Sequence, residues 1–271
     1  MTSKIYAIAN QKGGVGKSTS AVNLGAFLAG SGRRVLVVDT DPQANATSSL
    51  GYDKNQIAKS TYHLLLEEAG LDEVLLTHDQ TNLALLPANP ALAGAEVELV
   101  MLLAREYRLQ KALDGIDGRF DYVLIDCPPS LGLLTVNALA AARDGVLIPV
   151  QCEYLALEGL SQLTQTLNLV RKHLNPQLEI RGLIMTMYDG RTNLSRQVVE
   201  EVRAHFPGKV FRSIIPRNIR LSEAPSYGQP ISLYAPESPG ALAYKLLAAE
   251  LLQGDRLKGE WLKVKGEGWH G

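Results

Sequence analysis

A doubly wound α/β fold, with a mostly parallel sheet flanked by helices on both faces, is predicted by three features of the sequence. Short apolar runs alternate with longer stretches of helical period, a glycine-rich loop joins the first run to the first helical stretch, and aspartates end two further runs. Strands are expected at Ile5 to Ala9, Arg34 to Asp39, Asn82 to Pro87, Asp121 to Asp126, Gly145 to Pro149, Ile180 to Met187 and Val210 to Ile215. Each is rich in Val, Ile or Leu, and several are flanked by Gly, Pro or Asp. Between them, helices are expected at Lys17 to Gly30, Leu131 to Ala142, Ala156 to His173, Leu194 to His205 and Pro239 to Leu252. The third carries a stripe of Leu157, Leu160, Leu163 and Leu167 that suits a core or dimer contact better than a cofactor site. No linker or repeat interrupts the pattern, so residues 1–254 read as one domain and 255–271 as a flexible tail.

Composition narrows the possibilities. The 271 residues are 46% apolar and 20% charged, which excludes disorder and fibrous architecture. Lys and Arg total 27 against 28 Asp and Glu, so any polyanionic partner must be held by a local patch. Such a patch is foreshadowed: residues 171–271 carry a net charge of +5 and residues 1–170 one of −6. Most of the excess comes from Arg181, Arg191, Arg196, Arg203, Lys209, Arg212, Arg217 and Arg220, for which a solvated face is the simplest reading. Only Cys127 and Cys152 occur, without zinc spacing, which suits a reducing cytoplasm. The five histidines show no metal spacing either. The apolar run near the N-terminus is shorter than a signal peptide needs, and none elsewhere approaches the roughly 18 residues of a membrane span.

The strongest local signal is Lys12-Gly13-Gly14-Val15-Gly16-Lys17-Ser18-Thr19, placed between a strand and a helix as a phosphate-binding loop must be. Glycines admit phosphate oxygens to backbone N–H groups, and the helix offers its positive end. Lys17 is expected on the β- and γ-phosphates and the Ser18 hydroxyl on Mg²⁺. Gln11 replaces the usual first glycine and Lys12 adds a cation, able to stabilise transferring charge in its own chain or across a dimer. Asp39 and Asp41 follow one strand and Asp126 ends another, where carboxyl ends of parallel strands face a ligand crevice. Asp126 is the candidate that orients Mg²⁺ through its waters, Asp39 a supporting metal-shell residue, and Asp41 the group that positions the attacking water. Pro128 and Pro129 stiffen the segment behind Asp126, as a switch that senses the γ-phosphate requires.

Five segments together resemble the ParA/Soj partition ATPases, of the deviant Walker A class that also includes MinD. They are KGGVGKST at 12–19, VDTDPQANAT at 38–47, FDYVLIDCPPS at 120–130, MYDGRTNLSRQVVEEVR at 187–203 and IPRNIRLSEAPSYGQPI at 215–231. The resemblance implies a slow, Mg²⁺-dependent ATPase that dimerises face to face around two ATP molecules, with Lys12 reaching the partner's phosphates. It implies ATP-dependent, sequence-nonspecific binding of double-stranded DNA and stimulation by a ParB-type centromere-binding protein, in the cytoplasm and on the nucleoid. It gives the loop from Lys12 to Thr19 to phosphate and Mg²⁺, Asp41 to hydrolysis, Pro216 and Asn218 to adenine, and Arg191 and Arg220 to DNA. With the loop starting at residue 12, an N-terminal operator-binding domain is not expected.

Rival uses of such a chain differ in testable ways. A MinD-like membrane ATPase would need an amphipathic C-terminal helix; Leu257, Trp261, Leu262 and Val264 with Lys258, Lys263 and Lys265 have some of that character, but Gly259, Gly266 and Gly268 interrupt it, so no stable membrane association is expected. A redox protein with a shared iron–sulfur cluster would need Cys127 and Cys152 as ligands, whereas both read as small buried residues. An ATPase that positions a cargo other than DNA would share every motif. Glu153 and Tyr154 are candidates for the border of a partner surface.

Overall fold

The computed structural model describes residues 2–154 and 156–267, with side chains described as far as residue 256. In chain order the elements are β1 (Lys4–Ile8), α1 (Lys17–Gly30), β2 (Val35–Asp39), α2 (Asn45–Ser49), α3 (Thr61–Leu65), α4 (Leu71–Val74), β3 (Leu76–His78) and β4 (Leu83–Leu86). Then follow α5 (Leu92–Glu98), α6 (Arg108–Ala112), β5 (Tyr122–Asp126), α7 (Leu133–Ala141), β6 (Gly145–Gln151), α8 (Ala156–His173) and β7 (Ile180–Thr186). The chain closes with α9 (Asn193–His205), α10 (Ile219–Glu223), α11 (Ile231–Tyr234) and α12 (Pro239–Glu267).

One seven-stranded sheet forms, in the order β3-β4-β2-β5-β1-β6-β7, parallel except for the edge strand β3. Side chains of a strand alternate between faces, and here both faces are apolar. Ile5, Ala7, Leu36, Val38, Val123 and Ile125 pack with α7 and α8 through Leu134, Ala138, Leu160 and Leu163. Tyr6, Ile8, Val35, Val37, Tyr122 and Leu124 pack on the opposite face with α1 and α12 through Leu24, Leu28, Tyr244, Leu247 and Leu251. Each such large apolar side chain contributes about 1.5–3 kcal/mol by leaving water, so the doubly wound layering is what buries the most.

Six expected strands are present, with ends shifted by up to a few residues. The seventh is not: Val210 to Ile215 runs beside β7 and the residues after it through isolated bridges, Leu183 with Val210 and Tyr188 with Pro216, and a bond from the Ile215 N–H to the Met185 carbonyl at 2.9 Å, without a continuous ladder. Between the bridges, the N–H groups of Arg212 and Ser213 donate to the Glu250 carboxylate of α12 at 2.9 and 3.1 Å, so a side chain replaces the ladder. The actual seventh strand, β3, is three partly exposed residues paired antiparallel to β4, too short to show a period. The last helix does not stop at Leu252 but runs on to Glu267. Asp255, expected to open a flexible tail, is buried. Leu257, Trp261, Leu262 and Val264 lie outside the residues whose side chains are described.

Candidate nucleotide site

Register places the site. Asp126, the last residue of β5, stands level with Ile8 on one side and Asp39 on the other, so the loop after β1 and both carboxylates converge at one end of the sheet. The chain can turn from β1 into α1 because Gly14 and Gly16 take φ of +73° and +93°, values that cost an L side chain roughly 1–2 kcal/mol. Val15 is buried, and its carbonyl accepts the Thr186 hydroxyl of β7 at 2.9 Å, which pins the loop from the far side of the sheet. No side chain caps the start of α1 and no acidic residue lies in its first turn. Its leading N–H groups, beside half-buried Ser18 and Thr19, are therefore open to an anion.

Lys17 is only 6% exposed and donates to the Lys12 carbonyl at 3.1 Å. Burial pushes its pKa down, while Asp126, Cys127 and Asp41 nearby oppose that shift. Asp126 is fully buried, and neither carboxylate oxygen completes a hydrogen bond of good geometry, the Ser18 hydroxyl being the near donor. Burial above all, then the neighbouring Asp39, drives its pKa well up, although the Ser18 hydroxyl and Lys17 favour the charged form. A buried, unpartnered carboxylate is costly, and a hydrated divalent cation held between it and Ser18 would relieve that cost. The residues present therefore fit Mg²⁺.

Asp39, expected to share the metal shell, is engaged otherwise. Its Oδ1 accepts the Asp41 N–H at 3.1 Å, and its Oδ2 accepts the Thr47 N–H at 2.9 Å and hydroxyl at 2.8 Å. Three donors make it the organiser of the loop that carries Asp41. Asp41 is also buried; its Oδ1 accepts the Gln43 N–H at 2.9 Å. Lys12 is exposed and loosely paired, with Nζ 3.9 Å from Glu153 Oε2. Glu153 also takes Arg217 at 3.0 Å, so the two cations flanking the site share one carboxylate, a link only the tertiary structure reveals.

A cavity of about 270 Å³ opens beside the loop, lined by Gly16, Thr19, Thr186, Pro216, Asn218 and Tyr244. Pro216 and Asn218 thus reach the phosphate loop from about 200 residues downstream. Asn218 also caps α10, its Oδ1 accepting the Arg220 N–H at 2.9 Å. Arg191 is 88% exposed and bonded to Asp189 at 2.7 Å, and Arg220 is 58% exposed and bonded to Glu223 at 2.8 Å. The loops that carry them are joined where the Arg217 N–H donates to the Tyr188 carbonyl at 2.9 Å. Arg181 leaves the basic patch: its side chain, 11% exposed, lies against buried Asp255, with Nη2 at 3.0 Å. Cys127 and Cys152 are both buried, which raises their thiol pKa values, that of Cys152 to about 12. Among the described residues no helix is long and apolar enough to cross a membrane.

A family model described as an AAA domain matches residues 3–180. The sporulation initiation inhibitor protein Soj of Bacillus subtilis is 56% identical over 248 residues, 92% of this chain and 98% of that protein. The chromosome partitioning protein ParA of Myxococcus xanthus is 54% identical over 255 residues, 94% of this chain and 90% of its own length. Among solved structures, cobyrinic acid a,c-diamide synthase of Mycobacterium smegmatis with bound ATP analogue and magnesium superposes with a TM-score of 0.83. It is 41% identical and covers 94% of this chain and 96% of its own.

Proposed function

The chain belongs to the ParA/Soj family of partition ATPases, and on that premise we propose that it segregates DNA through a cycle in which Mg²⁺ and ATP join two copies and only the joined pair holds the duplex. The buried, unpartnered Asp126 carboxylate beneath Lys17 and the uncapped start of α1 carries the nucleotide part of this reading. The 41% identical structure holds an ATP analogue and magnesium in the same fold, which supports it. That protein is named as a diamide synthase, but the greater identity to Soj and ParA favours partition here.

Each residue has a task in this scheme. N–H groups from Gly13 to Thr19 and the Lys17 ammonium bind the phosphates, while Pro216 and Asn218 border the base. Ser18 and Asp126 would hold Mg²⁺, which supplies neutralisation of the phosphate charge when bound. Asp41, fixed by Asp39 and Thr47, orients the attacking water. Lys12 leaves Glu153 for the phosphates of the second copy, adding transition-state stabilisation that a single subunit lacks. ATP favours the pair by its greater affinity for it, and hydrolysis removes that bias. Arg191 and Arg220 contact DNA phosphates, and doubling these contacts in the pair steeply raises nonspecific affinity through counterion release. A ParB-type protein accelerates hydrolysis and release, with the cycle running in the cytoplasm on the nucleoid.

The test is the ATPase rate with DNA and with the ParB-type protein, separately and together, with Lys12→Ala and Asp41→Ala as comparisons. A slow basal rate and synergy of the two additions are expected, both lost in Lys12→Ala and Asp41→Ala. A protein that stays a single subunit with nonhydrolysable ATP analogue and Mg²⁺ would refute the scheme.

A further inference from the structure

Segment 216–231 carries the cavity residues Pro216 and Asn218 and the exposed Arg220, and it is tied to the nucleotide-facing elements at two points outside the cavity. One is Asn23 of α1, buried, whose Nδ2 donates to the Thr19 carbonyl at 2.8 Å and whose Oδ1 accepts the Ile231 N–H at 2.7 Å. The other is a crossing of two glycines. A Cβ on Gly228 would stand 2.5 Å from the Gly51 Cα, and a Cβ on Gly51 would stand 3.1 Å from the Gly228 carbonyl oxygen. Their φ values are +63° and +82°, so both positions exclude larger residues by backbone conformation as well as by space.

On one side of the crossing, Gly51 lies two residues beyond α2, whose Thr47 gives both of its hydrogen bonds to Asp39, the residue that also fixes Asp41. On the other side, Gly228 ends the turn Ala224–Tyr227 that follows α10 directly. Arg220 and the Tyr234 hydroxyl both bond Glu223 Oε2, at 2.8 and 3.0 Å, and Tyr227 stacks on Tyr234 with ring centroids 4.8 Å apart. Arg220 and Gly228 therefore belong to one compact unit. Leu50, Ala224 and Ile231 are buried in the same apolar cluster around the crossing. Interiors packed to this density pass a displacement on, and where two backbones touch no side chain is present to absorb it by changing rotamer.

We infer that Gly51 and Gly228 are positioning residues whose backbone contact transmits the state of the Asp41 loop to α10, and so sets how Arg220 is presented. The consequence for DNA rests on the proposed role of Arg220; the coupling itself does not. ADP and a nonhydrolysable ATP analogue place the same base in the cavity and differ at the γ-phosphate and in pairing, so the loop's share is read from the junction variant at matched dimer content.

The experiment is hydrogen–deuterium exchange of residues 219–228 in the full chain, with Mg²⁺ and either nucleotide. Exchange in this segment is expected to differ by at least about threefold between the two states. Equal exchange would overturn the inference. Gly228→Ala, confirmed folded by circular dichroism and matched to the parent in dimer content by light scattering, is expected to keep its ADP affinity and lose the difference. Gly51→Ala serves if that variant does not fold. A folded variant that retains the full difference would overturn the inference equally. Retention on a random-sequence duplex is read in parallel and is expected to fall about tenfold in Gly228→Ala. A coupling that is present in a parent protein unable to bind DNA supports the junction and refutes the DNA role of Arg220.

Discussion

Asp126 concentrates the chemistry of the site in one side chain, and its energetics are separable from its function. Burial drives the Asp126 pKa well up, so its charged form destabilises the ligand-free protein, and Asp126→Asn, which cannot ionise, is expected to raise ligand-free stability at neutral pH by about 1–3 kcal/mol while abolishing Mg²⁺-dependent hydrolysis. Urea denaturation without nucleotide and an ATPase assay check the two halves. Asp189 makes the opposite case. Bonds from Arg191 hold its carboxyl down at about 2, so the stability this pair contributes is present above the ordinary aspartate value and is lost as pH falls through about 2. Arg191→Ala is expected to return the Asp189 titration towards 3.8, as followed by carboxyl NMR. An Asp189 titration unmoved by that change would mean that the pair does not persist in solution. The motif spacing made Lys17, Ser18, Asp41 and Asp126 legible as candidates, and the fold gathers them at one end of the sheet. The sharing of Glu153 between Lys12 and Arg217 was not legible, because the pair spans more than a hundred residues and carries no local pattern.

Among the elements, α12 shows how a helix can be fixed far from the site. Asp255 accepts the Tyr6 hydroxyl of β1 at 2.7 Å, the Tyr122 hydroxyl of β5 at 3.0 Å and Arg181 Nε of β7 at 3.1 Å, so one carboxylate ties the helix to three strands. Asp255→Ala leaves a buried guanidinium unpaired and is expected to cost about 3–5 kcal/mol, whereas Asp255→Leu combined with Arg181→Met is expected to recover most of that. Chemical denaturation of the three proteins decides, and equal loss in the double variant would show that packing rather than charge dominates. This clamp takes Arg181 out of the solvated face that the sequence suggests: sequence gives the sign of a side chain but not which carboxylate meets it. The misassigned strand at Val210 to Ile215 has a similar origin. Its content of Val, Ile and Phe is that of a strand, yet Glu250 takes two of its N–H groups and no continuous ladder forms.

At the scale of the whole molecule, the charge asymmetry and the proposed pairing of two copies make a joint prediction. If Arg191 and Arg220 each contact a phosphate, every substitution removes two contacts from the pair. The slope of log affinity against log salt should then become shallower by about 1.8 for Arg191→Ala or Arg220→Ala, at roughly 0.9 per contact. Titration of ATP-bound protein on nonspecific duplex over a range of salt measures it, and unchanged slopes would place the DNA elsewhere. Each arginine is bonded to a neighbouring carboxylate in the single subunit, so in the proposed scheme DNA would displace Asp189 and Glu223, which lowers the net gain per contact.

The sequence alone determined the doubly wound architecture and the nucleotide loop, because both rest on short-range regularities: short apolar runs between stretches of helical period, glycine where the backbone must approach a phosphate, and carboxylates at strand ends. Tertiary structure alone decided which distant groups meet. It brought Pro216 and Asn218 to the first turn of α1, drew Arg181 inside onto Asp255, gave Asp39 to the loop of Asp41, and set Gly51 against Gly228. Contacts of that kind follow from how the two apolar faces of the sheet are covered, a global condition that no local window of sequence contains.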